Sequence, residues 1–128
     1  MKKVLIITHS ADNECIKIVS NKIKEKNGLA IRFNVDEYPL KYSITSSFEE
    51  GEWKVYLNHE GTTTAIHDVE SVWYRRSHNL ASGLPTVLDA EFLSSAYGEI
   101  RATLFGMLES LNCFQISKFS QYRRLDSK

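Results

Sequence analysis

The sequence predicts an α/β fold, namely a Rossmann-like, mostly parallel sheet flanked by helices, with an inserted antiparallel β-meander. Residues 3–8 are a near-continuous aliphatic run, which is typical of a parallel strand covered on both faces. A helical pattern and an alternating run follow over residues 15–35, which completes a β-α-β unit with a right-handed crossover. Residues 42–66 then change to short runs rich in Ser, Thr and aromatics, separated by turns, which indicates hairpins.

The β-α-β unit has recognisable boundaries. Apolar side chains recur at helical spacing over residues 15–23, with Lys and Glu between them. Asp12 or Asn13 is placed to cap this helix, and Gly28 is placed to end it. Apolar residues then alternate over residues 29–35, which predicts the second strand.

The second half of the chain predicts a return to the main sheet. Residues 42–48, 53–57 and 63–66 are expected to form the meander, and residues 69–76 a further strand of the main sheet. After a loop containing Gly and Pro, an apolar face at helical spacing predicts one long helix. The loop, the helix and a last short strand are expected over residues 77–86, 87–111 and 113–116.

Length and charge limit the organisation and the partners. The 128 residues suffice for one domain, expected over residues 1–117, and residues 118–128 are polar and basic with no core-forming periodicity of their own. Sixteen basic residues balance sixteen acidic ones, so nothing favours nucleic acid or an anionic membrane as a partner. The apolar run near the N-terminus is too short for a signal peptide or a membrane span, which predicts a cytoplasmic protein.

The two cysteines do not indicate a metal site. Cys15 and Cys113 lie in separate predicted elements, and neither has a His or Cys at metal-ligand spacing. We expect both to be small buried apolar groups, and we expect no metal site in the chain.

Arg75 and Arg76 close the strand that begins near Val69 and form the leading candidate for a functional site. Ligands of open α/β sheets bind beyond the carboxyl ends of the strands, so an arginine pair there is a candidate anion site. Arginines are seldom buried unpaired, and internal pairing with Asp or Glu is an equally good interpretation.

Further polar residues follow the other strands of the predicted sheet. His9, Ser10 and Asp12 follow the first strand, and Asp36 and Tyr38 follow the second, which makes all five candidates for substrate binding. His9 either meets a ligand or hydrogen-bonds within its turn, and Tyr38 either offers a stacking surface or caps the core. The glycines of a phosphate loop and a nucleophile elbow are both missing, so these residues indicate a location but no reaction.

Four stretches together resemble one known family. They are residues 4–12, Arg32 with residues 36–39, residues 71–76, and Glu99 leading to Ser110 and Leu111. The order resembles the N-terminal (pre-ATP-grasp, MvdD-like) domain of the ATP-grasp ligases that make microviridin-type graspetides. Residues 73–76, Trp-Tyr-Arg-Arg, are the most specific element of the resemblance.

The resemblance implies a function. Enzymes of this family use ATP to activate a side-chain carboxylate of a ribosomally made precursor peptide as an acyl-phosphate, and a Ser, Thr or Lys side chain then closes an ω-ester or ω-amide ring. ATP and magnesium are held by ATP-grasp subdomains that lie beyond this domain, in the same or a partner chain, and the resemblance makes residues 118–128 the junction towards that ATP-grasp domain, which this chain lacks. If the chain is part of such a ligase, we expect Arg75 and Arg76 to act in catalysis, one of them stabilising the acyl-phosphate or the substrate carboxylate. By the resemblance, Lys128 is the counterpart of a lysine that contacts ATP.

Two hypotheses therefore lead, and a third, a small flavodoxin-like ligand binder, lacks the phosphate loop that would support it. In the first, the chain is the substrate-side, cleft-forming part of such a ligase, and by itself it is inactive because it lacks the magnesium-binding carboxylates and the phosphate-covering loop. In the second, it is a non-catalytic interaction domain whose meander, around Trp53 and Tyr56, binds a partner or an identical chain as a homodimer.

Overall fold

The computed structural model describes residues 2–75 and 79–116, and this part of the chain contains two helices and seven strands. Single 3-10 turns follow the second strand, at Val35–Glu37, and precede the second helix, at Leu84–Thr86. The regular elements are β1 (Lys2–Thr8), α1 (Glu14–Glu25), β2 (Gly28–Asn34), β3 (Tyr42–Glu49), β4 (Glu52–His59), β5 (Thr62–Ala65), β6 (Ser71–Tyr74), α2 (Ala90–Glu109) and β7 (Phe114–Ile116).

The main sheet has the strand order β2-β1-β6-β7, and every pair in it is parallel. The chain moves outward from β1 to β2 on one side, and from β6 to β7 on the other. The strand order therefore reverses between β1 and β6, which is the position where open α/β sheets form a ligand crevice at the carboxyl ends of their strands. The predicted parallel, Rossmann-like sheet is confirmed.

The two faces of this sheet are covered unequally. Right-handed crossovers place α1 on one face, and place the meander and α2 on the other, because the chain moves across the sheet in opposite directions. Burial agrees with this. The main core unites Leu5 and Ile7 of β1 with Leu104 of α2, whereas Ile6 and Ile16 are buried outside that core.

The predicted meander is present as a separate three-stranded antiparallel sheet of order β3-β4-β5. Two-residue turns join its strands, at Glu50 with Gly51 and at Glu60 with Gly61. All four residues have positive φ, between 48° and 80°, as type I′ hairpin turns require. Glycine at the second position of each turn adopts positive φ without steric strain.

The capping predictions for α1 were wrong. Asn13 occupies the position before the helix without a side-chain capping bond, and the carboxylate of Asp12 is used elsewhere. At the other end, the helix ends at Glu25, and Asn27, not Gly28, adopts the left-handed conformation, with φ of 62°. Gly28 instead opens β2, where a Cβ would lie 2.8 Å from the Ile23 side chain, so its role is close packing.

Other boundaries differ by a few residues. Val35, expected in the second strand, begins a 3-10 turn, and α2 begins at Ala90, three residues later than expected. β6 ends at Tyr74, although the Arg75 amide still donates to the Ile7 carbonyl at 2.9 Å. Cys15 and Cys113 form no disulfide and are of intermediate exposure, so the burial expected for them was wrong. Within the described residues, no helix is both long and apolar enough to cross a bilayer.

Tyr74 on β6 carries a buried hydroxyl that has no hydrogen-bond partner within residues 2–75 and 79–116. Its ring packs against Phe105 of α2, with 6.5 Å between ring centroids. Burial raises the pKa of Tyr74 well above its ordinary value, and the charges of Glu109 and Cys113 add to the effect. Because the folded-state pKa lies above the unfolded one, the stability linked to this group is fully present below about pH 10 and is lost as the pH rises further.

We therefore expect Tyr74→Phe either to leave the free energy of unfolding at pH 7 unchanged or to raise it, by at most about 1 kcal/mol. The reason is that the variant removes a buried hydroxyl that has no partner among the described residues. The variant should also lose less stability than the wild type above about pH 10, which urea unfolding across that range would measure. Part of the alkaline loss should remain, since burial also raises the pKa values of Tyr38 and Tyr42. The matched control, Tyr97→Phe, should keep the wild-type alkaline loss; a large destabilisation by Tyr74→Phe at pH 7 would contradict the analysis.

Candidate functional site

The carboxyl ends of β1, β2 and β6 meet at one edge of the main sheet. The turn of residues 9–13 follows β1, the 3-10 turn Val35–Glu37 follows β2, and Arg75 follows β6. The sequence placed its candidate residues in these three segments. The structure brings them together around the point where the strand order reverses.

Ser10 and Asp36 connect two of these segments directly. The Ser10 amide donates to Asp36 Oδ1 at 2.9 Å, and the Ser10 hydroxyl donates to Asp36 Oδ2. Both carboxylate oxygens of Asp36 are thus engaged by one residue of the turn after β1. Together these bonds hold the turns after β1 and β2 in a fixed relation.

His9 hydrogen-bonds within its own turn. Its Nδ1 accepts from the Ala11 amide at 3.2 Å, and its carbonyl accepts from the Asp12 amide at 3.1 Å. Since Nδ1 acts as an acceptor, the ring proton of the neutral imidazole lies on Nε2. This geometry supports the alternative in which His9 shapes the turn.

Asp12 is the carboxylate partner of Arg75. Its Oδ2 accepts from the Thr8 hydroxyl at 2.7 Å and lies 3.6 Å from Arg75 Nε. The Asp12 side chain is 9% exposed and the Arg75 side chain 29% exposed, so the acid is nearly buried while the arginine keeps partial contact with solvent. The Nε atom is itself buried and has no hydrogen-bond partner among the described residues, because 3.6 Å is an ion-pair distance and too long for a hydrogen bond. Internal pairing therefore holds for Arg75.

Arg32 on β2 organises the site, although the sequence analysis named it only as part of a resemblance. Its Nη2 donates to the carbonyls of His9 and Asp12, at 3.1 and 3.2 Å, and its Nε donates to Asn34 Oδ1 at 2.8 Å. Asn34 in turn donates to Glu37 at 3.0 Å. The available signal was the alternation of β2, which places Arg32 on the face opposite its apolar neighbours.

Tyr38 lies beside this network and packs on the core. Its ring meets that of Phe33 edge to face, with centroids 5.9 Å apart, and burial raises the pKa of its hydroxyl. This contact supports the capping interpretation for Tyr38. Two further candidates, Arg76 and Lys128, lie outside the described residues, and their roles stay predictions.

The electrostatic balance of the site limits its chemistry. Two cations, Arg32 and Arg75, lie in the same region as the carboxylates Asp12, Asp36 and Glu37. Arg75 pairs with Asp12, whereas Arg32, Asp36 and Glu37 bond to backbone groups or neutral side chains around them. In residues 2–75 and 79–116, no three His, Cys, Asp or Glu side chains are grouped so as to hold a metal ion. The arrangement suits binding of an anionic group at Arg75, the arginine with an ion-pair partner and a partly exposed side chain.

Known proteins with the same fold and related sequences place this geometry in context. The family model described as MvdD pre-ATP grasp domain matches residues 3–123. A RiPP-associated ATP-grasp ligase of Chryseobacterium gregarium, solved in complex with ADP and a leader and core peptide, is 47% identical, with a TM-score of 0.92 over 99% of this chain and 38% of that one. No curated protein matches the chain significantly.

Two macrocyclases from Microcystis aeruginosa MRC are more distant, each 28% identical. MdnC, bound with precursor peptide MdnA, has a TM-score of 0.78 over 92% of this chain and 38% of its own. MdnB has a TM-score of 0.81 over 97% of this chain and 40% of its own. The chain thus spans about two fifths of the length of the solved enzymes that it matches.

The contacts of Asp12 predict its contribution to stability. We expect Asp12→Ala to lower the free energy of unfolding by about 2–3 kcal/mol, because it leaves the Thr8 hydroxyl unpaired and the Arg75 charge without its carboxylate. Thr8→Val should cost only about 1 kcal/mol, since the ion pair remains. Urea unfolding measures both, with Glu14→Ala, an exposed acid of the same segment, as the control. A smaller loss for Asp12→Ala than for Thr8→Val would show that the ion pair contributes nothing.

Proposed function

The chain belongs to the MvdD pre-ATP-grasp domain family, and on that premise we propose that it is the N-terminal, cleft-forming domain of an ATP-dependent peptide ligase. The substrate would be a ribosomally made precursor peptide, which the whole enzyme macrocyclises through ω-ester or ω-amide bonds. The solved relatives support this proposal: two of them carry peptides in their structures, and one of these also carries ADP.

The proposal divides the work between two parts of one enzyme. Residues 1–117 form the substrate-side domain, and residues 118–128 lead to an ATP-grasp part that binds ATP and magnesium, with Lys128 contacting the nucleotide. That part corresponds to the roughly three fifths of each solved relative that has no counterpart here. We also propose a cytoplasmic location, where ATP and newly made peptides are both present.

The position and pairing of Arg75 are the observation that carries the proposal. The residue follows β6 at the switch point, and Asp12 holds its Nε side while the side chain keeps 29% exposure towards the crevice. A guanidinium oriented in this way needs little reordering to meet an anion, which favours binding through charge-assisted hydrogen bonds. The anion would be the carboxylate of the peptide side chain or the acyl-phosphate formed from it.

The test uses the full-length enzyme with this chain at its N-terminus. Arg75→Gln should lower kcat/KM for ring closure at least about tenfold, the effect of losing one charge-assisted hydrogen bond. Arg75→Lys should recover only part of the activity, because an ammonium keeps the charge without the planar fork. Arg101→Gln, which removes an exposed arginine of α2, is the matched control and should leave kcat/KM unchanged.

Two measurements make this experiment decisive. Thermal unfolding of each variant shows whether a fall in activity reflects lost fold or a lost contact. If Arg75→Gln is folded and fully active, Arg75 has no part in the reaction. We also expect the 128-residue chain alone to form no ADP with a precursor peptide, and peptide-dependent ADP release from it would overturn the division of work.

A specific observation favours a second candidate, an interaction or dimerisation domain. Phe48 and Trp53 are 62% and 67% exposed at the tip of the β3–β4 hairpin, with ring centroids 5.3 Å apart. Beside Trp53, a groove of about 560 Å³ lies between the meander and the end of α2, lined partly by Val55, Met107 and Leu111. Exposed apolar patches of this kind commonly mark interfaces.

Light scattering of the chain over a hundredfold concentration range tests this candidate. If the hairpin tip forms a homodimer, the mass should double with concentration, and Trp53→Ala should abolish the change. A monomer at every concentration would count against the homodimer.

A further inference from the structure

A second apolar surface lies on the main sheet, on the same face as α1 but beyond the part that the helix covers. It consists of Trp73 on β6 with Phe114 and Ile116 on β7, and we call it the β7 stripe. Phe114 is 70% exposed and Ile116 45% exposed, although both are on a strand of the main sheet. Side chains of this size are usually covered when they lie on a sheet.

The strand register shows that these side chains share one face. Trp73 is paired with Ile6 on one side and with Ile116 on the other, so the three form a row across the sheet. Ile6 is fully buried, Trp73 is partly buried, and Ile116 is 45% exposed. Gln115, which alternates with the stripe, donates to carbonyls at the end of α2, so it faces the opposite side. Burial therefore falls steadily from β1 towards β7.

The cause is the chain path. α1 belongs to the β1–β2 crossover and packs on that half of the sheet, principally on β2. The crossovers from β2 to β6 and from β6 to β7 both move in the other direction, so their right-handedness places them on the far face. Within the described residues, no helix covers the α1 face over β6 and β7. Parallel sheets occur almost always with both faces covered.

We propose that the β7 stripe is the docking surface for the ATP-grasp part of the enzyme. The proposal rests on the proposed function, since it requires a longer ligase. The solved relatives contain about three fifths of their length beyond the region that aligns with this chain. That remainder is the partner of suitable size.

The size and chemistry of the stripe favour a tethered partner over a separate molecule. Its two rows, Ile6–Trp73–Ile116 and Val4–Ser71–Phe114, contain no charged side chain. A stable complex of separate proteins buries about 1,600 Å² in all, far more than three side chains supply. Domains joined by a short linker have an effective concentration in the millimolar range, so a small apolar contact suffices.

Docking at this place would connect the stripe with the candidate site. Arg75 follows Trp73 by two residues, so the two side chains extend from the same face. A domain packed on Trp73 and Ile116 would thus approach the crevice that Arg75 and Asp12 line. The stripe would bring the nucleotide-binding part over the substrate anion.

Oxidative footprinting tests the proposal without using activity. Hydroxyl-radical labelling of Phe114 is compared between the 128-residue chain and the full-length enzyme. We expect Phe114 labelling to fall at least fivefold in the full-length enzyme at every protein concentration, while Phe48 is labelled equally in both. Equal labelling of Phe114 in both proteins would overturn the proposal, and protection that grows with concentration would assign the stripe to a second copy instead.

A pair of double variants in the full-length enzyme provides the second test. Phe114→Ala with Ile116→Ala should raise the radius of gyration measured by small-angle X-ray scattering, and should increase proteolytic cleavage between the two parts at least fivefold. The matched control, Phe48→Ala with Trp53→Ala, removes two aromatics of similar exposure and should change neither. An unchanged scattering curve and cleavage rate would refute docking. If the wild-type enzyme closes no rings, the proposed function fails, and the footprint still decides where its parts meet.

Discussion

Parallel pairing of β1 with both β2 and β6 constrains the placement of the other elements. Parallel strands cannot be joined by tight turns, so each connection must cross a face of the sheet, and the right-handed preference selects which face. This one constraint puts α1 on one side and the meander with α2 on the other. It also creates the crevice between β1 and β6, and in the described part of the chain it leaves the outer half of the α1 face without a helix.

The polar residues at the crevice fall into two kinds: those held in hydrogen bonds that fix the turns, and one that stays in contact with solvent. Arg32 and Asp36 are occupied by hydrogen bonds that hold the turns after β1 and β2. Arg75 is different, since one side of its guanidinium meets Asp12 while its side chain keeps contact with solvent. Internal pairing and ligand binding are therefore compatible for this residue, because the carboxylate orients the cation that a substrate anion would meet.

The domain by itself offers binding and orientation. Its described residues contain a charged crevice wall and two exposed apolar surfaces, at the β3–β4 hairpin tip and on the β7 stripe. A large share of uncovered aromatic surface is expected of a domain that works against other parts of a protein. The two surfaces are not equivalent, since the β7 stripe is the one that we propose to meet the rest of a longer ligase.

The sequence by itself determined the elements that depend on local pattern. The aliphatic run of β1, the helical spacing of α1 and α2, and the Glu-Gly turns of the meander each follow from periodicity or backbone preference, so the fold class was predictable. The residues from Trp73 to Arg76 also pointed to the family that the comparison identified. Local pattern placed the candidate residues at strand ends, where the chain leaves the sheet.

Tertiary structure decided everything that depends on distance between remote residues. Whether Asp12 caps α1 or pairs with Arg75 depends on β6, which lies about sixty residues away in the chain, and no local pattern reports that pairing. The residue with the left-handed conformation after α1 is Asn27 and not Gly28. Gly28 is needed at the start of β2, where the strand passes close to Ile23. The exposure of Phe114 and Ile116 likewise follows from the path of three crossovers, since their apolar, strand-like sequence is the same whether the face is covered or bare.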